Sequence, residues 1–387
     1  MPVEITDIVQ IVEAQERWRG QQTINLIASE NAPSPAVRAI QNSDFMGRYA
    51  EGHPNRGDQI NRYYQGTRYI DQIETMAREE LMALARCRQA DVRPISGNAA
   101  NTAIALGYLR AGDPIIVNST AAGGHISHNT IGVFGRRLQM RGMSLNLDAP
   151  NHIPLYYFPL TEDLYHLDVP KTLELIERVS PRLLVLGKSL FLFPEPVREL
   201  AAVCRERDIP ILYDGAHVFG LILGGFFQDP LREGATWMTA STHKTFPGPQ
   251  RGVILADLDP EEERKYWPPA DRGVFPGSSS NHHLHTPAGA AGGHPRNAKA
   301  RPGLRLANRA QRQSAGPRPR RRGHRGGGPG TLATPRATRS PSMLPPTAVA
   351  WRWRSAWKPT TSSSTTTCCP STPTRAILPA CASACRR

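Results

Sequence analysis

Acidic residues run out early in this chain of 387 residues: the last of its 33 Asp and Glu is Asp271. Residues 286–387 carry 17 Arg and 2 Lys against no acid at all. The same stretch has no Phe or Tyr, one Ile (Ile377) and one Val (Val349), so it lacks the side chains from which a buried core is made. The net charge of +14 therefore averages two unlike parts, a mildly acidic body and a strongly basic appendage.

Other absences narrow the function classes. No apolar run approaches the roughly 20 residues that cross a bilayer. The N-terminus, Met1-Pro2-Val3-Glu4-Ile5-Thr6-Asp7, has no basic segment followed by an apolar one, so no secretion signal is visible and a cytoplasmic protein is expected. The body holds two cysteines, Cys87 and Cys204, without CxxC spacing. Both fall in predicted helices and read as small buried hydrophobes, not as disulfide partners or metal ligands.

The composition beyond His285 admits two readings. A disordered tail could bind nucleic acid non-specifically, with runs such as Pro317–Arg322 contacting phosphates. The preferred reading is a shifted reading frame, because Arg, Pro, Gly and Ala are the residues of GC-rich codons and they take over abruptly. The expected organisation is an N-terminal helix and arm over 1–30, a large domain over 31–286 and a disordered Arg/Pro/Gly-rich tail over 287–387.

Within the body, apolar spacing predicts an amphipathic helix over Ile5–Arg19 that packs on something else, and a second over Ile70–Arg86. A polar, Tyr-rich region lies between them at Asn42–Gln65. The apolar runs Pro114–Asn118, Leu183–Gly187 and Ile209–Tyr213 read as buried strands, and Thr102–Arg110, Val169–Val179 and Val197–Arg207 as helices. This alternation predicts an α/β domain with a mainly parallel sheet covered on both faces, in which ligands sit at the carboxyl ends of the strands.

Lys244, in Ser241-Thr242-His243-Lys244-Thr245-Phe246-Pro247-Gly248-Pro249, is flanked by small and hydroxylated residues and a Gly-Pro turn. It reads as a Schiff-base lysine at a strand end, or else as a surface lysine in a loop. Asp214 ends a strand, where it can pair with a protonated pyridine nitrogen or cap the next helix. Ser96-Gly97-Asn98 opens a helix and offers free N–H groups to a phosphate, unless Ser96 or Asn98 is only a cap. His125, after two glycines, can lie flat against a ligand ring; a metal shared with His128 is the weaker reading, because no acidic third ligand is near. Ser189 can reach a phenolic oxygen or merely complete a turn.

In order and spacing these pieces resemble fold-type I pyridoxal-phosphate enzymes, and more narrowly the serine hydroxymethyltransferase family in its archaeal-like branch. The resemblance covers about residues 5–286 and rests on Leu26–Asn31, Arg48–Gly52, Arg62–Gly66, Ser96–Asn101, Gly123–His128, Asp214–Gly220, Ser241–Pro249, Val274–Gly277 and Asn281–His285. It implies that Lys244 carries pyridoxal 5'-phosphate, with Asp214 at the ring nitrogen and His125 on the ring face. Ser96, Gly97 and Asn98 would take the phosphate. Ser189 and His217 would lie near the phenolic oxygen and the substrate carboxylate, and Thr242 and His243 would flank the lysine. Glu51 would be the acid/base at the hydroxymethyl group, Tyr49 and Tyr64 would line the substrate side from a neighbouring subunit of a homodimer, and Ser29 would help hold the substrate. Serine and glycine would be interconverted with tetrahydrofolate or a related pterin. A β-hydroxy amino acid aldolase or transaldolase on the same scaffold is the alternative. On their own residues, Glu51, Tyr49 and Tyr64 read equally as a polar surface loop.

Two departures from the family pattern stand out. Arg251 replaces a glycine after Gly248-Pro249-Gln250, and would clash if that backbone needed a positive φ. No segment after His285 matches the family's small C-terminal domain, whose arginine grips the substrate carboxylate. That domain is expected to be absent or disordered, and turnover correspondingly poor.

Overall fold

The computed structural model of the chain describes residues 2–292. The expectations for the tail, its disorder, its shifted frame and its nucleic-acid contacts, lie outside the described residues beyond that point. Helix α1 (Ile5–Arg17) runs on as a wider turn through Trp18–Gln22, and an extended arm leads to α2 (Pro35–Gln41). Next come α3 (Arg68–Ala85), β1 (Gln89–Asp91), α4 (Gly97–Tyr108), β2 (Ile115–Val117), α5 (Val133–Leu138), β3 (Leu155–Tyr157), α6 (Val169–Val179) and β4 (Leu183–Leu186). The second half contributes α7 (Val197–Glu206), β5 (Ile211–Asp214), α8 (Phe219–Leu223), α9 (Pro230–Glu233), β6 (Trp237–Ser241), β7 (Gly252–Ala256), α10 (Pro260–Arg272) and α11 (His285–Gly292).

The seven strands form one sheet in the order β1-β7-β6-β5-β4-β2-β3. β3, β2, β4, β5 and β6 are parallel, while β7 runs antiparallel to both its neighbours. Successive residues alternate between two cores. Ile116, Leu184, Leu186, Ile211 and Tyr213 join one core, and Ile115, Val117, Leu183, Val185 and Leu212 the other. Helices therefore cover both faces, as near-continuous apolar strands require.

Local chemistry sets the helix ends. Asp168 accepts from Lys171 N at 3.1 Å to start α6, and Ser180 ends it in the left-handed region at φ 47°. Asp259 and Glu262 form a capping box at the start of α10.

Several expectations shift. α4 begins at Gly97, five residues before the predicted start at Thr102, because Ser96 caps it by accepting from Ala99 N at 3.1 Å. β5 starts at Ile211, after Pro210, and takes in Asp214. Cys87 lies beyond α3, which stops at a left-handed Arg86, so it is not helical. Burial pushes the thiols of Cys87 and Cys204 up to about 12. The boundary drawn at 286 falls inside α11. α1 buries none of its residues, and Ile5, Ile8, Ile11 and Val12 face solvent. Among the described residues no helix is long and apolar enough to cross a membrane.

Candidate functional site

The carboxyl ends of the central strands converge on Asp214, the last residue of β5. Its Oδ2 accepts Asn101 Nδ2 at 2.8 Å from α4 and faces His128 Nε2 at 3.1 Å, and its Oδ1 accepts Ala216 N at 3.1 Å. Burial opposes ionisation, but the His128 hydrogen bond and charge, the Asn101 amide and His125 outweigh it and hold the carboxyl well below its usual range. Gly187 follows the neighbouring β4 at φ 107°, and a Cβ there would stand 2.2 Å from Asp214 O. Only glycine allows that approach.

Asn101 links this carboxylate to the ring expected to stack on a ligand. Its Oδ1 accepts from Thr239 Oγ1 at 2.7 Å, and its Nδ2 also reaches Ser127 Oγ at 3.2 Å. Ser127 Oγ lies 2.8 Å from His125 Nδ1. His125 is thus held by its δ nitrogen, with burial lowering its pKa. His128, considered from sequence only as a second metal ligand, is buried instead as the partner of Asp214 and packs edge-on to Phe134 with ring centroids 5.9 Å apart. Among the described residues no group of His, Cys, Asp and Glu is placed to hold a metal ion.

Ser96, Gly97 and Asn98 stand at the N-terminus of α4, where unpaired N–H groups and the helix dipole favour an anion. The capping reading of Ser96 holds as well, since its hydroxyl oxygen accepts within the helix. Gly97 packs so closely that a Cβ would lie 2.3 Å from Ser241 Oγ, and one on Gly252 would lie 2.0 Å from Ser96 O.

Lys244 follows β6 in the loop that returns as β7. Burial lowers its pKa and the Asp214 charge partly restores it. Its Nζ makes no hydrogen bond or ion pair among the described residues, so the amine is free. His217 is pushed down to about 4 by burial and by the Lys244 charge, and His243 is lowered by the same two causes. His217 also anchors the loop, because Thr245 Oγ1 donates to its carbonyl at 2.9 Å. The Thr242 hydroxyl is spent within the loop, donating to Pro249 O at 2.6 Å. Ser189 enters through its backbone, its N–H donating to Gly123 O at 2.7 Å, just beyond the Asn118 amide that holds Gly187 O at 3.1 Å.

The arm closes one side. Asn31 Nδ2 donates to the carbonyls of Lys244 and Phe246, and Ser29 lines a cleft of about 1030 Å³ together with His243, His283 and His285. Sequence reading placed Ser29 at the site but missed Asn31 as its tether. Tyr49 and Tyr64 meet with ring centroids 5.2 Å apart, both exposed. No hydrogen bond, ion pair or ring contact among the described residues joins Tyr49, Glu51 or Tyr64 to Lys244.

The sheet order, with its single reversed strand, and a free lysine just past the end of β6, the strand paired with the one that ends in the buried Asp214, match the large-domain fold of fold-type I pyridoxal-phosphate enzymes. The family model for serine hydroxymethyltransferase matches residues 3–301. A serine hydroxymethyltransferase of Pyrococcus abyssi is 46% identical over 285 residues, which is 73% of this chain and 61% of the relative. One from Saccharolobus islandicus is 42% identical over 284 residues, 73% of this chain and 60% of the relative. The chain belongs to the serine hydroxymethyltransferase family. It spans about three-fifths of the length of the curated relatives it matches.

Proposed function

We propose that the protein interconverts serine and glycine, with a tetrahydrofolate-type pterin as one-carbon acceptor and pyridoxal 5'-phosphate held at Lys244. The observation that carries this reading is the pairing of an ionised, buried Asp214 with a free, partly desolvated Lys244 in a chain of this family. The donor set fits the cofactor: a carboxylate for a cationic ring nitrogen, an amine for an aldehyde and a helix N-terminus for a phosphate. When bound, that cofactor supplies an electron sink for the bond broken at the amino acid.

The protein's own groups do the rest. Asp214 holds the ring nitrogen protonated, and Asn101 and His128 keep Asp214 ionised. His125 takes the ring face, and Ser96, Gly97 and Asn98 bind the phosphate. Thr242 and His243 shape the lysine loop. His217, neutral at pH 7, would serve with Ser189 at the phenolic oxygen and the substrate carboxylate. Glu51 moves a proton at the substrate hydroxyl, and Ser29, Tyr49 and Tyr64 line the amino acid.

The exposure of Tyr49 and Tyr64, which make no contact with Lys244 among the described residues, and the uncovered apolar side of α1 support a homodimer in which Tyr49, Tyr64 and Glu51 serve a neighbour. A cytoplasmic location is consistent with a soluble pterin. The expectation that the small C-terminal domain and its carboxylate-gripping arginine are missing falls outside the described residues.

The test is to incubate the purified chain with pyridoxal phosphate, reduce with borohydride and map the adduct. Labelling of Lys244 and slow, pterin-dependent glycine formation from serine are expected. Glycine formation indifferent to pterin would favour the aldolase alternative, and an unlabelled Lys244 would sink both.

A further inference from the structure

Arg251, which the family resemblance marked as a misfit, is fully buried at the foot of the lysine loop and carries no backbone strain: among the described residues the non-glycine positive-φ positions are Arg86, Leu164, Ser180 and Asp208. Its guanidinium has no carboxylate in contact, an arrangement that is costly unless every N–H finds an acceptor. Nε donates to Val92 O, Nη1 to the His283 carbonyl at 2.8 Å and to the Thr286 hydroxyl, and Nη2 lies 2.6 Å from His282 Nδ1. Burial lowers Arg251 to about 9, which still leaves it charged at pH 7.

Arginine can only donate. His282 Nδ1 must therefore accept, and the ring proton sits on Nε2, 3.2 Å from Glu74 Oε2. Burial pushes His282 down to about 4, in keeping with a neutral ring. The same Glu74 oxygen accepts Arg62 Nη2 at 2.7 Å, and Arg62 Nε donates to Asp71 Oδ1 at 2.8 Å. That clamp aims Arg62 Nη1 at the backbone, where it donates to Ala50 O at 2.6 Å and Gly52 O at 3.0 Å. These are the carbonyls on either side of Glu51. Asn281, next to His282, ties the same strip by accepting from Ala50 N at 3.0 Å and donating to Arg48 O at 2.9 Å.

We propose that Arg251 is a positioning residue for Glu51, acting through His282, Glu74 and Arg62, so that the lysine loop and the Glu51 strip are set by one buried chain of hydrogen bonds. The inference rests on the role given to Glu51 above. Glycine at position 251 would fix neither the His282 tautomer nor, through it, Glu74.

The experiment uses the full chain loaded with pyridoxal phosphate and the variants Arg251→Met, His282→Gln, Glu51→Gln and the Arg251→Met/Glu51→Gln pair. Arg251→Met is expected to keep the borohydride-trapped adduct on Lys244, yet to lose roughly 10- to 100-fold in kcat for serine cleavage with KM nearly unchanged, the scale on which a misplaced group slows chemistry. In the Glu51→Gln background the same substitution should add little, because both act on one group. His282→Gln offers one acceptor and one donor in place of the ring and is expected to stay within about fivefold of the parent, if the chain of hydrogen bonds is what matters. Full additivity of the pair would overturn the proposal, as would an Arg251→Met enzyme with parental kcat.

Two readouts need no activity. The imidazole nitrogen shifts of the parent protein should show Nε2 protonated and Nδ1 accepting at His282, and Arg251→Met should speed amide exchange at Ala50, Glu51 and Gly52. A proton on Nδ1 would overturn the proposal even if Arg251→Met fails to fold. If the parent neither traps cofactor nor cleaves serine, the proposed activity falls alone, and these two measurements still decide the chain.

Discussion

His128 and Asp214 face each other at 3.1 Å, Nε2 to Oδ2, with both side chains buried. The histidine's N–H and charge, with Asn101 and His125, help to keep this carboxylate ionised in a place where burial alone would protonate it.

His128→Phe therefore fills the volume beside Phe134 but withdraws a donor from Asp214. Leaving a buried acceptor short of a partner costs about 1–3 kcal/mol. Urea denaturation at pH 7 should show that loss, and the Asp214 carboxyl should titrate nearer the ordinary 3.8. An unchanged midpoint would mean that Asn101 and Ala216 N suffice.

Lys244 should react as a neutral amine at lower pH than surface lysines, because burial depresses it from 10.5. Asp214 works in the opposite direction, so Asp214→Asn should lower the Lys244 titration further. Reductive methylation with formaldehyde, followed by peptide mass mapping across pH, reads both shifts. A Lys244 midpoint at or above 10.5 would contradict the burial described here.

Acid should unfold the protein partly through the buried His282 and Glu74 pair. His282, lowered from 6.5 to about 4, favours the folded state while neutral, so its contribution is complete above 6.5 and is lost as the pH falls through about 4. Glu74 is lowered from 4.5 to about 2, with burial opposing and His282 and Arg62 outweighing it, so its contribution is complete above 4.5 and lost as the pH falls toward 2. Both signs agree. Urea midpoints measured from pH 7 down to 3 should decline, and the decline should be shallower in Glu74→Gln; parallel curves would show that other groups dominate.

Gly187→Ala should be disproportionately harmful for one methyl group. The position has φ 107° and the new Cβ would stand 2.2 Å from Asp214 O, so strain and overlap add. A loss of about 1–3 kcal/mol is expected from overpacking alone, seen as a lower melting temperature with weaker cofactor retention. Gly142, at φ 87° with nothing near its Cβ position, is the control for strain without overlap.

The buried strands β2, β4 and β5 were legible because Val, Ile and Leu dominate them, and α6 was found at its observed bounds because Asp168 and Pro170 mark its start. β1, with its Gln89-Ala90-Asp91 sequence, and β6, with Trp237-Met238-Thr239, carry polar or mixed residues whose strand character comes only from their neighbours in the sheet. The motif residues around Lys244 and Asp214 could be read in sequence, since each is a chemical type at a strand end. His128, Asn31 and Arg251 could not. Their roles depend on hydrogen bonds to residues far along the chain, and no local pattern encodes which partner a buried polar group will meet.

β6 and β7 are adjacent and antiparallel, with Ser241 opposite Gly252, so Lys244 rides on a hairpin whose two feet stand in the same sheet. Thr242 N donates to Arg251 O at 2.9 Å and Gly248 N to Thr242 O at 2.8 Å, which pins the loop from inside. A lysine mounted in this way has its backbone held by hydrogen bonds on both sides of the loop while its four-carbon stem stays unpartnered among the described residues. The proposed condensation of this amine with an aldehyde, and its later release, would then require no refolding of the platform beneath it.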